Sequence, residues 1–191
     1  LAWLEGELAE ADAQSEIVVV LSHHRSADFY SDSPVTGDML KAVLEASAGV
    51  ILHVTGHGHG NDKQVVPAQP SSDSEGYWEL MVAASVDFPM QSRIIEIVDE
   101  QNGYLSIYVT NLGHNAPDDS LAHRARVLAA AKRAFPSFSG ETLEESWPHD
   151  LEAQNLLLRI PISDAVAASL AAHDLPTRIE SLATLSTLPG P

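Results

Sequence analysis

The sequence predicts an α/β fold with two sheets flanked by helices. Three observations lead there. The apolar, β-branched runs 17–22 and 50–55 have the composition of buried strands. A helical pattern with short joins lies between them, so strand, helix and strand form a βαβ unit with parallel strands. Beyond residue 76 the pattern turns antiparallel, with runs 93–98 and 105–109 on either side of Asn102-Gly103, a strong hairpin signal.

Each element has its own local reason. Residues 2–14 read as a helix, because Leu1, Leu4, Leu8 and Ala11 recur at three and four spacing while Glu5, Glu7, Glu10 and Asp12 fall on other faces. After strand 17–22 comes a polar loop to Thr36. Asp38 is placed to cap a helix to about Ala46, with Met39, Leu40, Val43 and Leu44 inward. Strand 49–55 follows, and then a loop from Gly56 to Gly76 rich in Gly, Pro, Ser and Asp. Residues 77–82 read as a strand before the hairpin. Asp118 to Ser120 can cap a helix through about Phe135, with Leu121, Ala125, Leu128 and Ala129 on its apolar face. Residues 136–148 read as a linker, 149–172 as helical with a break near Pro161, and 174 onward as weakly patterned. This divides the chain into a core at 1–135 and a helical C-terminal extension at 136–191.

Composition narrows the function. With 45% hydrophobic and 19% charged residues the chain is globular. A formal net charge of −17 argues against a protein that grips nucleic acid through its phosphates. The absence of cysteine removes disulfides, thiolate metal sites and thiol catalysis. No uninterrupted apolar run is long enough to span a membrane. Leu1 to Glu10 is amphipathic and acidic rather than a signal peptide. A first residue other than Met points to a processed chain or to a missing upstream part.

The chemistry lies in histidines. Strand 17–22 ends in His23-His24, and strand 49–55 ends in Gly56-His57-Gly58-His59. In parallel α/β sheets ligands bind at the carboxyl ends of strands, and imidazole is the commonest protein ligand for transition metals. The i, i+2 spacing of His57 and His59 lets both rings face one centre or two adjacent ones, and the glycines allow a tight turn. His53, on the opposite strand face from Leu52 and Val54, reads as a packed, hydrogen-bonded histidine. His114 is a lesser candidate at a strand end, while His123, His149 and His173 read as surface residues. Asp87 and Arg93 read as structural ion pairs or turn bonds, and Trp3 and Trp78 as core.

These two histidine blocks resemble the last two sequence blocks of the calcineurin-like metallophosphoesterases. Val18 to His24 is similar to that family's strand ending in a metal-binding His, and Val50 to His59 to its strand ending in Gly-His-x-His. Trp3-Leu4-Glu5 looks like the helix that precedes these blocks. Gly76 to Glu79, Ser85, Pro89, Gln91 and Arg93 to Glu96 look like the closing strands, so the likeness covers roughly residues 1–112. The family's Asp-x-His, Gly-Asp-x-x-Asp and Gly-Asn-His blocks are absent. The resemblance therefore implies the C-terminal half of a four-layer α/β/β/α sandwich. It implies metal-dependent hydrolysis of phosphomonoesters or phosphodiesters when a companion polypeptide supplies the N-terminal half, and little activity alone. It implies two divalent ions, such as Mn, Fe or Zn. His23 and His57 would bind one, His59 the other, and His24 would shape the site or touch substrate. Two alternatives stand beside it: a non-catalytic acidic binding or assembly module, and a mononuclear zinc site of three histidines.

Overall fold

The computed structural model describes residues 1–29, 32–70, 72–134 and 151–173. Its architecture is α/β. Helix α1 (Ala2–Gln14) leads into β1 (Val18–Leu21), a short 3-10 turn (Ser26–Asp28), α2 (Gly37–Ala46) and β2 (Val50–Thr55). There follow β3 (Asp62–Pro67), β4 (Gly76–Met81), β5 (Gln91–Asp99), β6 (Tyr104–Gly113), α3 (Leu121–Ala134), β7 (Leu156–Pro161) and α4 (Asp164–Ala172).

The strands form two sheets, one in the order β1-β2-β4-β3 and one in the order β5-β6-β7. β1, β2 and β4 run parallel, as the βαβ reading requires, and β3 returns antiparallel beside β4. The second sheet is wholly antiparallel, with the hairpin register set by the turn at Asn102-Gly103, where Gly103 has φ 83°.

Alternation of side chains along each strand gives the first sheet two different faces. One face meets the second sheet in a shared core of Ile51, Leu52 and Leu80 against Leu105, Ile107, Val109, Leu158 and Ile160. The other face receives the helices, with Leu8, Leu40 and Leu44 packed on Val50, Val66 and Tyr77. Full burial of such a side chain contributes about 1.5–3 kcal/mol, so these two clusters hold the layers together. Asp12 Oδ1 ties α1 to the turn before β2, accepting from Ser47 Oγ and Gly49 N, both at 2.9 Å.

Several expectations are corrected. β1 is an edge strand, not a buried one. It pairs only with β2 among the described residues, and Val19 and Leu21 are 40% and 75% exposed. Among the described residues the second sheet has three strands to the first sheet's four. Trp3 is 76% exposed on α1, not core. Thr36 rather than Asp38 caps α2, its side chain accepting from Met39 N, and Met39 points outward. The Gly56 to Gly76 segment holds a strand, β3, whose Pro67 sits at its end, where a missing N–H is tolerated. Residues 156–161 are strand β7, paired with β6, so this stretch belongs to the second sheet and not to a helix. Pro161 ends that strand rather than breaking a helix. Helix α3 starts after Ser120, as expected, with His123 N donating to Ser120 Oγ, but Leu121 and Leu128 are exposed. The linker at 136–148, His149 and the stretch from 174 lie outside the described residues.

Candidate metal centre

Parallel pairing brings the two histidine blocks to one sheet edge. Leu21 lies opposite Val54, and beyond them Ser22 N donates to Val54 O at 3.1 Å. The next carbonyl, His23 O, accepts from Gly56 N and His57 N at 3.1 and 2.9 Å. The backbone of one block is thus docked on the other before any side chain acts.

Three imidazoles meet there. His57 Nδ1 stands 3.2 Å from His23 Nε2. The His24 ring centroid is 4.9 Å from that of His23 and 4.0 Å from that of His57. One nitrogen from each of His23, His24 and His57 lies within 4.8 Å of the others. His24 Nδ1 is buried without a hydrogen-bond partner among the described residues, as are Tyr77 Oη and His114 Nε2.

The three nitrogens form a group that could hold one ion. Two nitrogens, each about 2.0–2.1 Å from a tetrahedral zinc, stand about 3.3–3.4 Å apart. The observed 3.2 Å between His23 and His57 is close to that. His23 and His57 are exposed and His24 is half-buried, so the group is reached from solvent. It contains no carboxylate.

His59 goes elsewhere. His59 N donates to Gly56 O at 3.3 Å, closing a tight turn, and His59 takes a left-handed backbone with φ 56°. That turn sends its ring to Asp87, with Nδ1 2.8 Å from Oδ2. The His59 hydrogen bond, with Lys132 assisting against the opposing effect of burial, holds the Asp87 carboxyl below its ordinary value. So of the residues read as ligands, His23 and His57 stand together and His59 stands apart, while His24 stands inside the group.

Carboxylates near the site are already engaged. Arg25 makes two contacts with Asp28, at 3.1 and 3.2 Å, and one with Asp62 at 3.0 Å. Burial pushes the Asp28 carboxyl upward, but Arg25, and more weakly His57, overcome it and leave it lowered. Asp28 therefore lies within electrostatic reach of the histidine group.

Behind the histidines is a buried polar relay that the sequence reading left out. His53 is fully buried on the helix-facing side of β2, and its Nδ1 donates to Glu79 Oε2 at 2.9 Å. Its Nε2 lies 2.7 Å from Ser22 Oγ, which is also 2.7 Å from His24 O. Glu79, on β4, is 2% exposed and also accepts from Ser26 N and Ser26 Oγ, at 3.3 and 3.2 Å. Burial pushes its carboxyl upward, but the bonds from His53 and Ser26 prevail and hold it low. The signal for the relay in the sequence is His53 itself, which reads as packed and hydrogen-bonded. Glu79 lies 26 residues away and meets it only through strand register.

The remaining candidates are structural. Arg93 donates to Asn111 Oδ1 at 2.8 Å and to Ala153 O. Trp78 Nε1 donates to Arg159 O at 3.0 Å, joining the two sheets. His114 accepts from Ala116 N at 3.4 Å, away from the three-histidine group. No protein-family model matches the chain, and no curated protein matches it.

Proposed function

We propose that this chain carries the histidine-bearing part of a metal-dependent phosphoester hydrolase of the metallophosphoesterase type. The observation that carries the reading is the meeting of His23, His24 and His57 at the carboxyl ends of two adjacent parallel strands. In this reading His23 and His57 hold an ion. His24 completes its shell or contacts the substrate. A divalent ion bound there supplies Lewis-acid polarisation of a phosphoryl oxygen and neutralises its charge. That positive charge matters in a chain of formal net charge −17, whose Arg25 is already bound to Asp28 and Asp62.

A companion polypeptide supplies the carboxylate ligands of a second ion and the rest of the sheet. The open β1 edge supports this, with exposed Val19, Leu21 and Trp3 beside it. A groove of about 570 Å³ runs along that edge, lined by Leu4, Leu8, Val20 and Leu21 among others. Unpaired strand edges next to apolar surface are the usual template for strand addition.

A second reading is favoured by His24 standing within the group and His59 outside it. It is a mononuclear site of three imidazoles with an open fourth position, which needs no second ion. Metal uptake tests both. The purified chain, equilibrated with zinc, cobalt or manganese and freed of excess, is expected to keep one ion, lost in H57A. Failure to bind any of them overturns both readings. Intact mass and metal content of material from the natural source then decide between them. A second polypeptide and about two ions per complex support the binuclear enzyme. One ion and no second chain leave the mononuclear site. No hydrolysis of bis(p-nitrophenyl) phosphate by the isolated chain is expected under the first reading.

A further inference from the structure

We infer that the buried Glu79–His53 pair is a positioning device that clamps the His23–His24 loop at both ends. The inference rests on the reading of His23, His24 and His57 as ligands, which it deepens. The loop leaves β1 at Ser22 and enters the 3-10 turn at Ser26, and each of these serines is tied to one carboxylate oxygen. Ser26 reaches Glu79 Oε2 directly, through N and Oγ. Ser22 reaches it through His53, with 2.7 Å from Oγ to Nε2 and 2.9 Å from Nδ1 to Oε2. Between these anchors stand only His23, His24 and Arg25.

Nδ1 of His53 faces a carboxylate and donates to it. Ser22 has one proton to share between His53 Nε2 and the His24 carbonyl. Ser22 O–H donates to the His24 carbonyl, and the same oxygen stands 2.7 Å from His53 Nε2, whose ring is joined to Glu79 through Nδ1. The chain of bonds thus ends on the backbone of a ligand residue. Bonds one step behind metal-binding imidazoles commonly set their orientation.

Stability alone does not account for such a pair. Well-packed apolar residues at sealed positions are often as stable as a buried ion pair, or more so. What the polar pair adds is a defined length and direction for the loop. Gly37 contributes from the opposite side, because its backbone lies so close to the Ser26 carbonyl that a Cβ there would overlap it. Ser26 is therefore held between α2 and Glu79.

The test uses the serines, whose hydroxyls can be removed without emptying the core. Amide hydrogen exchange of the metal-free chain reads the clamp directly. S22A and S26A are expected to raise exchange at the amides that hold the loop, those of residues 26, 56 and 57, and S22T, which keeps the hydroxyl, to restore it. Cobalt titration reads the consequence. Each alanine variant is expected to bind cobalt about 10-fold more weakly, with unchanged stoichiometry and an altered visible spectrum, and S22T is expected to bind as the unsubstituted chain does. Unchanged exchange in the S22A/S26A double variant overturns the clamp. So does faster exchange with cobalt affinity and spectrum unmoved. If the unsubstituted chain takes up no cobalt, the metal reading falls, and exchange alone decides whether the clamp stands.

Discussion

Glu79 Oε2 lies 2.9 Å from His53 Nδ1, and both side chains are almost sealed from solvent. They come from the two central strands of the first sheet and face each other in register. Removing one partner leaves the other buried with unmet hydrogen-bonding capacity. Glu79→Ala is expected to destabilise the chain by about 1–3 kcal/mol, read as a lower midpoint in urea unfolding. A loss below about 1 kcal/mol would show that water or a neighbour replaces the carboxylate at little cost.

Acid sensitivity follows from the same group. Glu79, Asp28 and Asp87 all have carboxyls held below their ordinary values of 4.5, 3.8 and 3.8 in the folded chain. The unfolded chain then binds protons at a higher pH than the folded one, so these groups contribute stability above the ordinary values. That contribution is lost as pH falls through the lowered ones. Unfolding free energy is expected to be level near neutrality and to fall from about pH 5 downward. Glu79→Gln should flatten the fall. An equal slope in that variant would assign the acid response to other carboxylates.

The two residues at the start of α2 test different kinds of contact. Thr36 caps the helix through its side-chain oxygen, so Thr36→Ala is expected to lose about 1 kcal/mol and leave metal binding unchanged. Gly37→Ala forces the new Cβ against the Ser26 carbonyl. It should lose about 1–3 kcal/mol and also weaken cobalt binding, because the turn it displaces leads back to His24. Calorimetry and cobalt titration on both variants check the contrast. Equal effects on cobalt would remove the link between Gly37 and the site.

His57 and His59 are two residues apart and are expected to behave differently. His57→Ala should abolish retention of the ion held with His23. His59→Ala should leave that ion in place, because the His59 ring is engaged with Asp87. Metal analysis after dialysis reads both. Loss of the same ion in both variants would mean that the turn at Gly56 rearranges when metal binds.

Much of the fold is legible along the chain, and the reasons for the rest are physical. The βαβ unit and the hairpin follow from local periodicity and from Asn102-Gly103. β3 is hidden because its residues, from Asp62 to Pro67, alternate weakly and sit among turn formers. β7 is hidden because Leu156, Leu157 and Leu158 are good helix formers, and only pairing with β6 makes them a strand. The approach of His23 to His57 can be read from strand ends alone. The departure of His59 cannot, since it depends on a left-handed residue in a turn. Glu79 as the partner of His53 depends on register between β2 and β4, which no local pattern encodes.

The unpaired edge of β1 also governs how the isolated chain behaves at high concentration. Leu21 and Trp3 lie beside backbone groups that pair with nothing on that side among the described residues. Two copies meeting there can zip together, and mutual repulsion from Glu7, Glu10 and Glu16 along the same groove opposes it. Salt shortens the reach of that repulsion to about 10 Å at 0.1 M and about 3 Å at 1 M. Colloidal stability should therefore decline as salt rises, the reverse of what salting-in leads one to expect of so acidic a chain. Low ionic strength is the condition under which it stays dispersed.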